Sequence, residues 1–394
     1  MTTRRYGLRS RKHRAEPTHS LLPFELVAHI ASYLAKDTES LLACSATCRL
    51  WRNATRPQIF QKVTIGNPPH LQAFYDVVKG EPIIGLWVKK IRFTITRGHP
   101  SQRLYPFHWM INAGEILRGL EKNLTKLDSV TFDSVFVGHG PSDYTSLFEV
   151  IAKFQTIRRI KVSRCYPSVT PFCNFLCKLP RLDSVSIESS GPVSREGTAE
   201  GTGLMKISSL SLLAHEWNQN NTRTWFTSAI TAASLRNLTI DVLEPSYLGV
   251  TNRLLEVTGP YLQSLRIILP EYVRSYEDPP RLAIMQGINL RHNIVLRDVT
   301  FHNPNAPEYT TILDQLSSPN LRTVFIVLSF STLEGIKVKD YKDLDKRLSQ
   351  PDLSHVEEVC VLYDGTLELY VVTGKIRRVF PSVAARRILQ VQRV

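Results

Sequence analysis

The 394-residue sequence contains no Gly-rich phosphate loop, no Gly-x-Ser-x-Gly, no His-Glu-x-x-His and no pair of Cys-x-x-Cys motifs. Each absence removes one familiar way of holding a nucleotide, a nucleophile or a zinc ion. No stretch reaches the roughly 18 apolar residues a membrane-spanning helix needs. The opening is basic and lacks an apolar h-region, so an unexported chain in the cytoplasm or nucleus is expected. Cysteine is scarce at 6 residues, and in such a chain the thiols are expected to stay reduced. Cys165, Cys173 and Cys177 lie close in sequence, but the latter two sit inside an apolar segment and no fourth ligand stands at metal-site spacing. Buried thiols are the better reading, and the expectation is no metal, no cofactor, no catalytic residue and no enzyme.

What is abundant is positive charge: 49 Lys and Arg against 35 Asp and Glu, a formal +14. Such a balance favours anionic partners without naming one. Arg4, Arg5, Arg9, Arg11, Lys12 and Arg14 crowd into residues 1–20, which read as a disordered basic tail or a nuclear-localisation signal. A nucleic-acid-binding repeat protein is a rival reading, disfavoured because aromatic groups do not interleave with the basic ones.

The chain is organised by a repeat. The pattern apolar-x-x-apolar-x-apolar begins at Val88, Leu127, Ile157, Leu182, Ile207, Leu235, Leu262, Leu296, Leu321 and Val356, at intervals of 25 to 39 residues. Ten such hexamers in series predict a solenoid. Helical segments lie between them, as parallel strands require. In "TPFCNFLCKL", Thr170 is a candidate N-cap, Pro171 fits the first helical position, and Phe172, Phe175, Leu176 and Leu179 form an apolar face. "TSLFEVIAKF", "TNRLLEVT" and "YTTILDQL" follow the same scheme.

This alternation resembles the leucine-rich repeat, which implies a curved parallel sheet with helices on the convex side, over residues 66–361. The family places Asn or Cys three residues after the third apolar position, to cap turn backbone; Cys165 alone fits. The third and fifth hexamer positions alternate away from the core and are expected on the concave face. Lys90, Arg92, Arg159, Lys161 and Arg266 fall there. They are candidates for an acidic or phosphorylated protein substrate, against the plainer reading of a solvated face. Beyond the last hexamer, over 362–394, "VCVLYDGTLELYVV" sets Asp364-Gly365 between two alternating runs, a hairpin signal suited to capping a sheet edge. The basic tail from Lys375 reads as a solvated or capping helix.

Upstream, "LPFELVAHIASYL" carries Leu22, Leu26, Ile30 and Leu34 four residues apart behind Pro23, a single helical stripe with Tyr33 alongside. Two more short helices follow, carrying Leu41, Leu42 and Cys48, then Leu50 and Trp51. Residues 21–65 are too few to bury much surface alone. With Leu22-Pro23, Glu25-Leu26, Ile30, Leu34, Leu41-Leu42, Cys48-Arg49, Trp51-Arg52, Phe60 and Val63, the segment resembles the F-box. The whole chain is similar to F-box proteins with leucine-rich repeats of the kind numerous in mushroom-forming fungi. The resemblance implies that Leu22, Pro23, Leu26, Ile30, Leu34, Leu41, Leu42, Cys48 and Trp51 dock on the Skp adaptor. Through it they would join a cullin scaffold, with the repeats holding a substrate for ubiquitination. Two alternatives stand beside it: the stripe caps the solenoid, or the chain is a scaffold with no ligase link.

Overall fold

The computed structural model describes residues 22–94, 108–135, 145–165, 169–188, 204–213, 220–241, 248–268, 286–302, 306–316, 318–329 and 338–393. The basic tail over 1–20 lies outside them. The chain divides into two compact units, one ending at Lys62 and one beginning at Val63.

The first unit holds three helices: α1 (Phe24–Tyr33), α2 (Thr38–Thr47) and α3 (Arg49–Ile59). Pro23 is the N-cap of α1, one residue earlier than the first helical position, and its carbonyl accepts the first helical bond from Val27 N–H at 3.2 Å. Lacking an N–H of its own, it loses nothing there. Asp37 caps α2, accepting from Ser40 N–H at 3.1 Å and from the Ser40 hydroxyl at 2.6 Å. Those bonds hold its carboxyl below the usual range.

The second unit is one sheet of twelve strands in chain order. After β1 (Lys62–Ile65) come β2 (Lys90–Thr94), β3 (Ser129–Asp133), β4 (Arg159–Ser163), β5 (Ser184–Glu188) and β6 (Ser209–Leu213). Then follow β7 (Asn237–Asp241), β8 (Ser264–Ile268), β9 (Asp298–His302), β10 (Thr323–Ser329), β11 (Glu358–Asp364) and β12 (Leu389–Arg393). Each of the ten hexamers gives one strand, β2 to β11, beginning at its third position. Every pairing from β2 to β12 is parallel, and third positions meet third positions without slip: Lys90, Ser129, Arg159 and Ser184 form one straight row. This is a leucine-rich-repeat-like solenoid.

Helices return the chain between strands: α4 (Pro68–Gly80), α5 (His108–Arg118), α6 (Thr145–Ile151), α7 (Val169–Cys177), α8 (Asn220–Ala229), α9 (Leu248–Thr258), α10 (Ala306–Gln315) and α11 (Val338–Leu348). The α7 helix starts at Val169, so Thr170 is inside it and is not its N-cap. Phe172, Phe175 and Leu176 within it and Leu179 just past its end are buried as the apolar spacing predicts, each contributing about 1.5–3 kcal/mol. Aromatic rings carry the core between repeats. Phe93 stacks on Phe132 at 5.7 Å, Phe132 meets Phe148 edge-on at 5.9 Å, and Phe148 stacks on Phe175 at 4.8 Å.

A backbone ladder runs beside the sheet at the residue before each strand. Asp128 N–H donates to the Lys89 carbonyl, Arg158 to Asp128, and Asp183 to Arg158, at 2.8–2.9 Å; the series continues to Glu357 on Arg322. Two turns leaving the sheet also repeat each other: Ser134 (φ 57°) and Arg164 (φ 52°) are left-handed at equivalent positions. Each donates its N–H to the last residue of the next strand, Ser163 at 2.8 Å and Glu188 at 2.9 Å.

The C-terminal end corrects the hairpin expectation. After Asp364 the chain turns, with the Tyr363 hydroxyl donating to the Leu367 carbonyl at 2.9 Å, into α12 (Leu369–Val379) and α13 (Pro381–Ala385). It then adds β12 parallel to β11. Val372, Ile376 and Val379 are buried at helical spacing, so packing of a period-3.6 face overrides the alternation read in "TLELYVV". Arg386 of the basic tail is structural: it donates to the carbonyls of Leu348 at 2.7 Å, Ser354 at 2.9 Å and Val356 at 3.1 Å.

Candidate docking surfaces

The stripe on α1 is real, and it faces away from the core. Leu26 is 50% exposed, Ile30 40% and Tyr33 75%, while Val27 and Ala31 on the opposite side are fully buried. Leu22 and Pro23 are exposed just before the helix, and Leu34, its C-cap, is half-buried. The small residues carry the packing, and the large ones are left in water. A cluster of that composition on a soluble surface marks an interaction site. The His29 ring packs edge-on against Tyr33 at 4.9 Å and stiffens one border of the face.

On α2 the Leu pair divides. Leu42 is 51% exposed, but Leu41 is 1% exposed. Leu41 therefore holds the three helices together and is not available to a partner, a correction to its grouping with the docking residues. Cys48, the N-cap of α3, is exposed; the nearby backbone N–H groups of Trp51, and less so Leu50, draw its thiol below the usual range. Trp51 is half-buried. Phe24 is exposed beside Pro23, and the four-residue spacing does not point to it because it falls between the periodic positions.

On the sheet, third and fifth positions lie on the open face, with fourth and sixth buried. Cys360 departs from that rule. It is fully buried, with Phe325 and Gln390, both longer side chains, as its register neighbours on either side. Burial, and then the Glu358 charge, push its thiol up to about 11.

The basic candidates there are already engaged. Arg92 pairs with Asp133, Arg159 with Asp128, and Lys161 lies 2.6 Å from Glu188. Asp133 also accepts from Arg164 Nη2 at 2.7 Å and Nε at 3.1 Å. It is 2% exposed. Burial alone would raise its carboxyl, but the hydrogen bonds and charges of Arg92 and Arg164 prevail and hold it below the usual carboxylate range. An incoming anion would have to displace these carboxylates. Lys90 is exposed at the row's start. Arg266 lies one strand from His302 and donates to its Nε2. Burial, with the Arg266 charge second, lowers the His302 ring to about 4, so it is neutral at physiological pH.

Cys173 is buried, and desolvation drives its thiol far up; Cys177 shifts the same way for the same reason. Neither is poised as a nucleophile. Among the described residues no group of three or more His, Cys, Asp or Glu could hold a metal, and no helix is long and apolar enough to cross a membrane.

Comparison with known proteins agrees with the first unit's architecture. Residues 19–65 match the F-box-like family model. The chain thus joins an F-box-like domain to a leucine-rich-repeat-like solenoid. Among solved structures it is similar to the leucine-rich repeat-containing protein LegL7 from Legionella pneumophila, at 12% identity and TM-score 0.44 over 83% of this chain and 94% of that one. It is also similar to a chain in the complex of Rad7 and Elc1 in yeast, at 10% identity and TM-score 0.34 over 91% of this chain and 81% of that one. No curated protein sequence matches.

Proposed function

We propose that this chain is the substrate-recognition subunit of an SCF-type, cullin-RING ubiquitin ligase. The observation that supports it is the exposed apolar face of Leu26, Ile30 and Tyr33 within the segment matching the F-box-like model. In this reading α1 and Leu42 dock on the Skp adaptor, which joins the chain to the cullin, and the repeats hold a protein substrate. The chain does no chemistry and needs no cofactor. It acts by raising the effective concentration of a substrate lysine near a charged conjugating enzyme. The cytoplasm and nucleus are where such a complex would work.

The test is co-purification with the Skp adaptor, wild type beside the double variant Leu26→Asp, Ile30→Asp. Capture by wild type and loss in the variant supports the reading. If neither version captures the adaptor while both remain folded, the α1 face has another purpose and the non-ligase scaffold reading takes over.

A further inference from the structure

The ladder residues and the turns leading into them form one edge of the sheet, and its described residues are dominated by positive charge. The turn before β3 carries Lys122 and Lys126, that before β4 Lys153 and Arg158, and that before β5 Lys178 and Arg181. All six are exposed. The series continues through Lys206, Arg236, Arg297 and Arg322 at the entries to β6, β7, β9 and β10. The acids on the same edge are Glu121, Asp128, Asp183 and Asp298, before Glu357 closes the row, and Asp128 is engaged by Arg159.

Two ordinary explanations account for part of this. Helices return antiparallel to the strands, so their negative C-terminal ends come down to this edge, where cations are favourable. That covers Lys153 and Lys178, which follow α6 and α7 directly. It does not cover Arg158, Arg181 or Arg297, which lie beyond the helix ends at the strand entries. Internal pairing accounts for Arg159, and weakly for Arg322, whose guanidinium is 3.9 Å from Glu357.

The charges are held in a fixed row. Ladder bonds of 2.7–2.9 Å join Lys89 to Asp128, Arg158, Asp183, Ser208, and so on to Arg322. Adjacent strands are about 4.8 Å apart, so the row from β2 to β10 runs about 38 Å. An extended polypeptide of about twelve residues has that length. Among the described residues, the large exposed aromatics of the second unit are Tyr261 and Tyr370. Only Tyr261 is on this edge, and Arg236 lies over its ring at 6.0 Å. A stacking platform for bases is therefore not built here.

We propose that the strand-entry edge of the repeats, from Lys89 to Arg322, binds an extended acidic polypeptide segment. The site lies wholly in the second unit, so it stands whether or not the adaptor docks on α1.

The test is fluorescence anisotropy of the full chain with a labelled polyglutamate peptide of about twelve residues, beside a single-stranded RNA and a DNA duplex of matching length, at rising salt. Two triple variants carry the same change of net charge. One is Lys126→Glu, Arg158→Glu, Arg181→Glu on the edge; the other is Arg253→Glu, Lys342→Glu, Arg377→Glu on exposed helix faces. All six positions are exposed, and unchanged circular dichroism verifies the fold. The expected result is peptide binding that weakens with salt and falls roughly tenfold or more in the edge variant but less than about twofold in the other. Equal loss in both variants would reduce the effect to net charge and overturn the site. So would failure of the wild type to bind the peptide at low salt. Tighter, edge-dependent binding of RNA or DNA would overturn the assignment to a polypeptide.

Discussion

The Cys165 sulfur accepts a hydrogen bond from the backbone N–H of Val135, 3.4 Å away in the preceding turn, and donates to its own strand's Ser163 carbonyl at 3.1 Å. Both Cys165 and Val135 are fully buried, so no water can replace the thiol. Cys165→Val should leave that N–H without a partner and cost about 1–3 kcal/mol. Urea unfolding of the variant against wild type measures it; an unchanged midpoint would remove the capping role.

Asp133 draws Arg92 and Arg164 from two neighbouring repeats onto one buried carboxylate. Asp133→Asn keeps the shape but not the charge, and should destabilise by roughly 1–3 kcal/mol. The folded carboxyl is depressed, so its contribution is present above the unfolded value near 3.9 and is lost as pH falls through the folded one. The difference between wild type and variant should therefore shrink on acidification below about pH 4.

His302 works in the opposite charge sense. Its ring is held neutral in the fold to about 4, against 6.5 for the unperturbed group. Between those values the unfolded chain binds the extra proton, so stability falls as pH drops through that window. The loss is at most on the order of 3 kcal/mol. Thermal melts of wild type and His302→Gln across the window should converge as pH falls, with wild type losing more.

Within α1 and α2 the contrast between neighbouring leucines is a direct check. Leu41→Ala empties a buried site and should cost about 2–5 kcal/mol. Leu26→Ala and Leu42→Ala, at exposed positions, should stay within about 0.5 kcal/mol of wild type. The same melts would show whether the large residues on α1 serve stability or something outside the chain.

These cases also mark what the sequence made legible. Ten hexamers became ten strands because each supplies two core residues at strand spacing, and repetition amplifies a signal too weak to trust once. β1 and β12 escaped because "KVTI" and "LQVQR" are short end strands without the hexamer. The α12 segment reads as a strand in the sequence because Asp364-Gly365 is strong local turn chemistry, whereas burial of Val372 and Ile376 is a tertiary fact. On α1 the spacing alone locates the stripe and says nothing of its direction; that it points outward is implied only by the F-box resemblance. Periodicity locates the greasiest face, and here the covered face is the one built from Val27 and Ala31. The ion pairs on the open face were equally hidden, since Arg92 and Asp133 are 41 residues apart in sequence.

The ladder that runs from Lys89 to Glu357 joins each repeat only to its neighbours. A sheet built this way behaves mechanically as a row of identical springs. A load at one end is shared among the rungs, each straining a little, so the two ends can shift by a distance no single hydrogen bond could tolerate. A ligand gripping many rungs at once would stiffen the row as a whole, while one gripping a single strand would leave the rest compliant.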